Sequence, residues 1–232
     1  EVYYKRSTDG GSTWGPDTRL TNDASSSFHP TISVSGLDVH VTWQDKRDSY
    51  YWEIHYKKSS DRGLTWESDK RITNTWGHSN QSSLSVSGSI VNMIRQEGGD
   101  KWNIYFTRSN NGGLTWGLDT NLTNSSAPCC SYGAMDPSHS ITGSFIHVVW
   151  DDNYSDGNSE IYYKRSTNMG VSWETDKRLT YNAGTSLFPS ISVSGSVVHV
   201  VWQDNSEGNY EIYHKRSLDN GISWGPDIRL TN

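Results

Sequence analysis

The sequence predicts an all-β fold of repeated four-stranded antiparallel sheets, and three observations carry that prediction. First, a phrase of the form S-x-[DN]-x-G-x-[ST]-W recurs as STDGGSTW (residues 7–14), SSDRGLTW (59–66), SNNGGLTW (109–116), STNMGVSW (166–173) and SLDNGISW (217–224). Its closing tryptophans, Trp14, Trp66, Trp116, Trp173 and Trp224, stand about fifty residues apart, a spacing within the range of propeller blades. Second, the segments between the copies alternate apolar and polar residues with the period of a strand. Third, no stretch carries the periodicity of a helix.

The strands read off in order. PTISVSG (30–36) alternates and ends in a Ser-Gly turn, and VHVTWQD (39–45) alternates again. EIHYKKS (53–59) is a third strand, and DKRITN (69–74), after the repeated phrase, is a fourth. The phrase is therefore the hairpin between the third and fourth strands. Gly11, Gly63, Gly113, Gly170 and Gly221 give it a position that tolerates positive φ. Its third residue, Asp9, Asp61, Asn111, Asn168 or Asp219, is suited to accept backbone amides across the loop. Asn serves as well as Asp in that role, which marks a structural acceptor and not a catalytic carboxylate. The tryptophan is a wedge for the gap between neighbouring sheets.

Residues 1–22 hold only a third and a fourth strand and match 211–232 in phase. The expected architecture is a β-propeller of four complete blades (23–74, 75–124, 125–181 and 182–232) and an N-terminal half-blade. It forms one domain over residues 1–232, alone or within a longer chain. The half-blade leaves an inner edge open, and an open edge invites self-association.

On these motifs the chain resembles the Asp-box, or BNR-repeat, propellers, which include sialidases and several lectins. The resemblance covers essentially the whole sequence and is specific for the fold, but a fold of this kind hosts many activities. It implies a protein that is secreted or at the cell surface. Sialidases of the family hold the substrate carboxylate with three arginines, the first in an F/Y-R-I-P motif, and use a Tyr and Glu pair with an acidic acid/base. No such motif occurs here, and no pair of acidic groups is singled out for hydrolysis. No residue is therefore assigned a catalytic role.

Composition narrows the partners. Lys and Arg number 20 against 26 Asp and Glu, without a basic run, so the electrostatic footprint of a nucleic-acid binder is missing. No stretch approaches the roughly 20 apolar residues that span a bilayer. Hydrophobic content is only 32%, but 11 Trp and 13 Tyr supply large areas for burial. Cys129 and Cys130 are adjacent, match no metal spacing, and read as two small thiols. The oxygen-rich loops at 151–160 and 204–211 lack EF-hand spacing; they read as solvated loops, with calcium as the minor alternative. No metal site and no cofactor is expected.

Binding residues belong to the loops opposite the repeated hairpins, because that face varies while the hairpin face does not. Trp52 and Trp102 precede their third strands in equivalent positions, Tyr210 is their counterpart in the last blade, and Trp76 lies in an inter-blade loop. Aromatic rings beside amides and carboxylates suit the C–H faces and hydroxyls of sugars; sealing the blade rims is the plainer reading. The second strands end in Trp43-Gln44-Asp45, Arg95-Gln96-Glu97, Trp150-Asp151-Asp152 and Trp202-Gln203-Asp204. Gln44, Asp45, Glu97, Asp152 and Asp204 read either as a repeated sugar site or as hairpin caps. Arg47 and Arg95 read as a fork for a ligand carboxylate, or as partners of Asp48 or Glu97. His40, His147 and His199 share one strand position, taken by Asn92 in the remaining blade, and read as structural. The function expected is a carbohydrate-binding or adhesion module with a glycan or glycoprotein as its ligand. A sialidase-type glycoside hydrolase, or a fragment of one, is the second expectation; a purely structural interaction propeller is the third.

Overall fold

The computed structural model describes residues 1–99, 101–123, 133–153 and 157–232. Cys129 and Cys130, and residues 154–156 of the first acidic loop, lie outside them. The described chain is all-β. It opens with a two-stranded sheet, β1 (Tyr3–Tyr4) and β2 (Thr18–Arg19). Four four-stranded sheets follow in chain order: β3 (Ser27–Ser35), β4 (Asp38–Asp45), β5 (Glu53–Ser59) and β6 (Lys70–Arg71); β7 (His78–Ser87), β8 (Ile90–Gly98), β9 (Trp102–Ser109) and β10 (Thr120–Asn121); β11 (Ala134–Thr142), β12 (Phe145–Asp152), β13 (Glu160–Ser166) and β14 (Lys177–Arg178); and β15 (Ser186–Ser194), β16 (Val197–Asp204), β17 (Glu211–Ser217) and β18 (Ile228–Arg229). Each is a meander of sequential neighbours. The strands expected at 30–36, 39–45 and 53–59 are present, and the fourth strand of each sheet shrinks to two residues.

The chain divides into two compact units, residues 1–93 with 108–117, and 94–107 with 118–232. In the first, Val2 and Leu20 pack with Val39, Val41 and Trp43, joining the two-stranded sheet to the sheet that follows it. In the second, Ile104, Phe106 and Leu122 pack with Ile146, Val148 and Trp150, and Tyr163 and Leu179 with Ile191, Val200 and Trp202. The core therefore lies between successive sheets, and each sheet depends on the next to bury its apolar face.

The repeated hairpin fastens those junctions. Ser7 Oγ donates to Asp9 Oδ1 (2.7 Å), which also accepts the Thr13 amide (2.9 Å), while Gly11 N donates to Ser7 Oγ (2.8 Å). Asp61 and Asp219 repeat the arrangement. At Asn111 and Asn168 the Oδ1 still accepts the amides of Thr115 and Ser172 at 2.9 Å, but the side-chain NH2 donates to the hydroxyl that the aspartates accept from. A hydroxyl rotor serves either partner. Each following tryptophan meets a ring of the preceding sheet edge to face: Tyr4–Trp66 at 5.0 Å, Tyr56–Trp116 at 5.4 Å, Phe106–Trp173 at 5.2 Å and Tyr163–Trp224 at 5.0 Å between centroids.

The second strands of three sheets carry a further fastening. The first strands bulge at His29, Gln81, Asp136 and Phe188, all with φ between 47° and 52°. Gln44 Oε1 accepts the amide of Gln81 (3.4 Å), Gln96 Oε1 that of Asp136 (2.8 Å), and Asp151 Oδ1 that of Phe188 (3.2 Å). A short polar side chain from one sheet thus satisfies an amide that the bulge removes from the ladder of the next.

Candidate functional site

The residues that end the second strands are mostly spent on the fold. Asp45 is fully buried and accepts hydrogen bonds from Ser27 Oγ (2.9 Å), Trp43 Nε1 (3.0 Å) and both the backbone and the guanidinium of Arg47 (2.9 and 2.6 Å). Burial alone would raise its carboxyl, but the bonds from Arg47, Trp43 and Ser27 outweigh that and hold it well below the usual range. Asp204 accepts from Ser186 Oγ (2.6 Å), Asn182 Nδ2 (2.6 Å) and the Ser206 amide (2.8 Å). Against burial, these bonds lower its carboxyl as well.

Arg95 and Arg47 are each engaged by carboxylates of their own unit. Arg95 is fully buried where the other sheets have tryptophan, and lies over Tyr105 as Trp43 lies over His55 and Trp150 over Tyr162. Its Nε and NH2 donate to Glu97 (3.1 and 2.6 Å), its NH1 to Thr107 Oγ1 (2.7 Å), and NH1 and NH2 to Asp119 (3.1 and 2.8 Å). All five donors are occupied. Arg47 also pairs with two carboxylates, its NH2 with Asp45 (2.6 Å) and its NH1 with Asp69 (2.7 Å). A guanidinium already neutralised by two carboxylates has little to offer a third; for Arg95 the partner Glu97 is the one the second of the two sequence readings named, while Arg47 takes Asp45 and Asp69 in place of Asp48.

Asp151 and Asp152 differ. Asp151 occupies the position of Gln44 and Gln96, and burial, then the charge of nearby Asp136, lifts its carboxyl well above the ordinary range. The Asp152 carboxyl is raised by burial to about 6, against a hydrogen bond from Trp150 that lowers it. Its Oδ1 is buried without a partner. Among the described residues, no group of three His, Cys, Asp or Glu side chains is arranged to hold a metal ion.

The aromatic residues separate into sealing and open ones. Trp52 is half-buried against Phe28 (5.5 Å between centroids), with Lys46 Nζ 4.7 Å from its ring; its backbone is pinned by the imidazole of His78 (3.0 Å) and the amide of Ser79 (2.7 Å). Trp102 is half-buried at the start of β9, where its backbone bridges to Gly133. Tyr210 is half exposed. Trp76 is 96% exposed and Tyr50 is 85% exposed. Both border one cleft of about 280 Å³, lined also by Ser49, Tyr51, Arg71, Asn74 and Thr75.

This cleft belongs wholly to the first unit. The β4–β5 loop brings Ser49, Tyr50 and Tyr51, and the β6–β7 connection brings Asn74, Thr75 and Trp76. Tyr51 is wedged edge to face between Tyr50 (5.4 Å) and His78 (5.3 Å). Arg71 ties the two loops to the sheet, donating to the Asp48 carbonyl (3.3 Å), Glu53 Oε1 (2.7 Å), Asn74 Oδ1 (2.8 Å) and the Thr73 carbonyl (2.7 Å). The loops are thus held from below while the rings of Tyr50 and Trp76 face solvent. Sequence reasoning named Trp76 but missed Tyr50, Tyr51 and Arg71; three aromatics in the four residues SYYW (49–52) were the available signal.

Comparison with solved structures gives the fold a name. A Trypanosoma rangeli sialidase bound to the inhibitor DANA superposes with a TM-score of 0.67 at 16% identity, over 88% of this chain and 38% of that one. A Hadza microbial sialidase gives 0.64 at 13%, over 84% and 45%. The Penicillium chrysogenum α-L-arabinanase complexed with arabinobiose gives 0.64 at 15%, over 88% and 66%. The chain has the fold of the sialidase-like β-propellers. It spans less than half the length of the two sialidases and about two thirds of the arabinanase. No family model matches the propeller's sequence, and no curated protein matches it. Identities this low speak for the architecture alone.

Proposed function

We propose that this propeller is a carbohydrate-binding module acting outside the cell, and that its sugar site is the cleft between Tyr50 and Trp76. The observation that carries the reading is the near-complete exposure of two large rings across a cleft whose floor is polar and held in place. Two large exposed rings bordering one cleft form the kind of exposed apolar patch, rimmed by polar groups, that marks ligand-binding grooves. A sugar offers C–H faces to stack on the rings and hydroxyls for Ser49, Asn74 and Thr75. Support of a coarser kind comes from the structural neighbours, whose partners include sialic acid and arabinobiose. Glycan-array screening followed by calorimetry tests the proposal. Trp76→Ala and Tyr50→Ala are expected each to weaken the bound glycan at least about tenfold, the loss of a stacking contact of roughly 1.4 kcal/mol. Unaltered affinity in the double variant contradicts it.

A second reading, glycoside hydrolysis, is favoured by one feature. A carboxyl that stays protonated up to about 6, with a buried unpartnered oxygen, has the acidity of a general acid. Release of a fluorophore from aryl sialosides or aryl arabinofuranosides, abolished by Asp152→Asn, would establish it. No release under mildly acid conditions leaves binding as the function.

A further inference from the structure

The cleft between Tyr50 and Trp76 carries a charge pattern as well as rings. Of its lining residues, Ser49, Tyr50, Tyr51, Arg71, Asn74, Thr75 and Trp76, only Arg71 brings a cation. That charge is already answered inside the fold. The Glu53 carboxylate, 1% exposed, accepts from the guanidinium at 2.7 Å. Four of the five N–H donors of Arg71 go to Glu53, Asn74 Oδ1 and the carbonyls of Asp48 and Thr73. Glu53 is fixed in turn by the Thr73 hydroxyl and the Thr75 amide. Turning Arg71 outward to a ligand anion would leave Glu53 buried and alone, which is strongly unfavourable.

The charged and titratable neighbours in the two loops keep that balance. His78 accepts the Trp52 amide on Nδ1 (3.0 Å), a bond that only the neutral ring can make, and burial together with the Lys46 ammonium lowers its pKa. Lys46 is held with Nζ 4.7 Å from the Trp52 ring and does not border the cleft. The Asp48 carboxylate, in the same loop as Tyr50, is half exposed and would repel a second anion. What the cleft offers a ligand is uncharged: the Asn74 NH2 group, whose Oδ1 is taken by Arg71, the Trp76 indole N–H, the Tyr50 hydroxyl and the faces of two rings. A carboxylate entering here would exchange its water for dipoles and ring faces, with no cation free to answer it.

We propose that the cleft selects uncharged sugars: it takes the neutral end of a glycan and rejects one capped by sialic or uronic acid. This selectivity rests on the cleft being the sugar site, and it names the class of sugar taken. Glu53 is its positioning residue, because the buried carboxylate cancels the one charge that could recruit an anion while holding Arg71 as a floor beneath the rings.

An array of glycans ending in galactose, glucose, N-acetylglucosamine or arabinose, each presented uncapped and capped with sialic or glucuronic acid, tests this. The 232-residue chain is expected to retain uncapped members, and capping a bound glycan is expected to weaken it at least about tenfold. In calorimetric titration the affinity of the bound glycan should change less than about twofold between roughly 20 and 300 mM NaCl, because no ion pair forms with the ligand. Glu53→Gln, checked for native circular dichroism, uncovers the Arg71 charge and is expected to gain capped glycans at low salt. A folded Glu53→Gln chain that gains none would contradict the selectivity. So would a wild-type preference for capped glycans that is lost at high salt and in Trp76→Ala, although the cleft would then stand as the sugar site. Binding that survives Trp76→Ala and Tyr50→Ala together would overturn the cleft itself, and an array without a bound member would overturn both.

Discussion

At Asp45 and Asp152 the same residue ends the second strand of two sheets, yet its protonation is pulled in opposite directions. Both lie beside a tryptophan; only Asp45 also has a guanidinium, that of Arg47. The folded Asp152 carboxyl titrates near 6 against an ordinary 3.8, so the native state holds that proton more tightly than the unfolded chain does. Its stability contribution is complete below about pH 4 and is lost as pH rises through 6, an effect of up to about 3 kcal/mol. Asp152→Asn, which keeps an acceptor for Trp150, is expected to raise stability at neutral pH and to flatten its pH dependence between those limits in urea titrations. Asp45 has the opposite sign: its contribution is present above the ordinary carboxylate pKa and fades as pH falls below it. Asp45→Asn should cost about 3 kcal/mol at neutral pH, the scale of breaking a buried ion pair. Asn92, buried with both amide atoms unpartnered where His40 and His147 each meet a tyrosine hydroxyl, predicts a third outcome. Asn92→Leu should stabilise the protein by about 1 kcal/mol. None of these environments was legible in the sequence, because the tripeptides ending the second strands look alike and only three-dimensional neighbours tell them apart.

At the scale of the element, the repeated hairpin was readable almost to the atom. Its aspartates and asparagines cap the loop through the same side-chain oxygen, Oδ1, and its glycines take positive φ in every copy: Gly11, Gly63, Gly113, Gly170 and Gly221 at 80° to 91°. What the sequence concealed is that the glycine also clears space for a ring. A Cβ on Gly113 would lie 2.0 Å from the Tyr56 hydroxyl, and one on Gly221 equally close to that of Tyr163. Gly113→Ala and Gly221→Ala are expected to carry the conformational penalty of about 1 kcal/mol plus roughly 1–3 kcal/mol of overpacking. Gly11→Ala should show the first term alone in chemical denaturation. Equal losses at all three positions would mean that the hairpin glycine serves its own loop and not the junction. The polar tips of the second strands were harder to assign. That Gln44, Gln96 and Asp151 reach into the bulge of the following sheet follows from a positive φ at residues followed by Pro or Ser, which local propensity does not forecast.

For the whole molecule, period and alternation sufficed to anticipate a propeller of four complete sheets and a two-stranded one, since a repeat that cannot bury its own face must stack on its neighbour. The site was legible only in part. Trp76 announced itself as a tryptophan outside every repeat position, but Tyr50 and Arg71 acquire meaning only when two loops distant in sequence are brought together. Arg95 shows the converse: a residue that breaks the repeat pattern invites a functional reading, and folding instead fills its five donors with Glu97, Thr107 and Asp119. The division of labour proposed here is a hairpin of repeated geometry that binds sheet to sheet and variable loops left free for a ligand. The most direct measurement is calorimetric titration of an array-selected glycan into wild type, Trp76→Ala and Gly113→Ala, with melting followed in parallel. The account predicts that Trp76→Ala loses affinity at an unchanged melting temperature while Gly113→Ala melts earlier and, at a temperature where it is folded, binds as wild type does. Binding that survives Trp76→Ala, or that vanishes with folded Gly113→Ala, would contradict it.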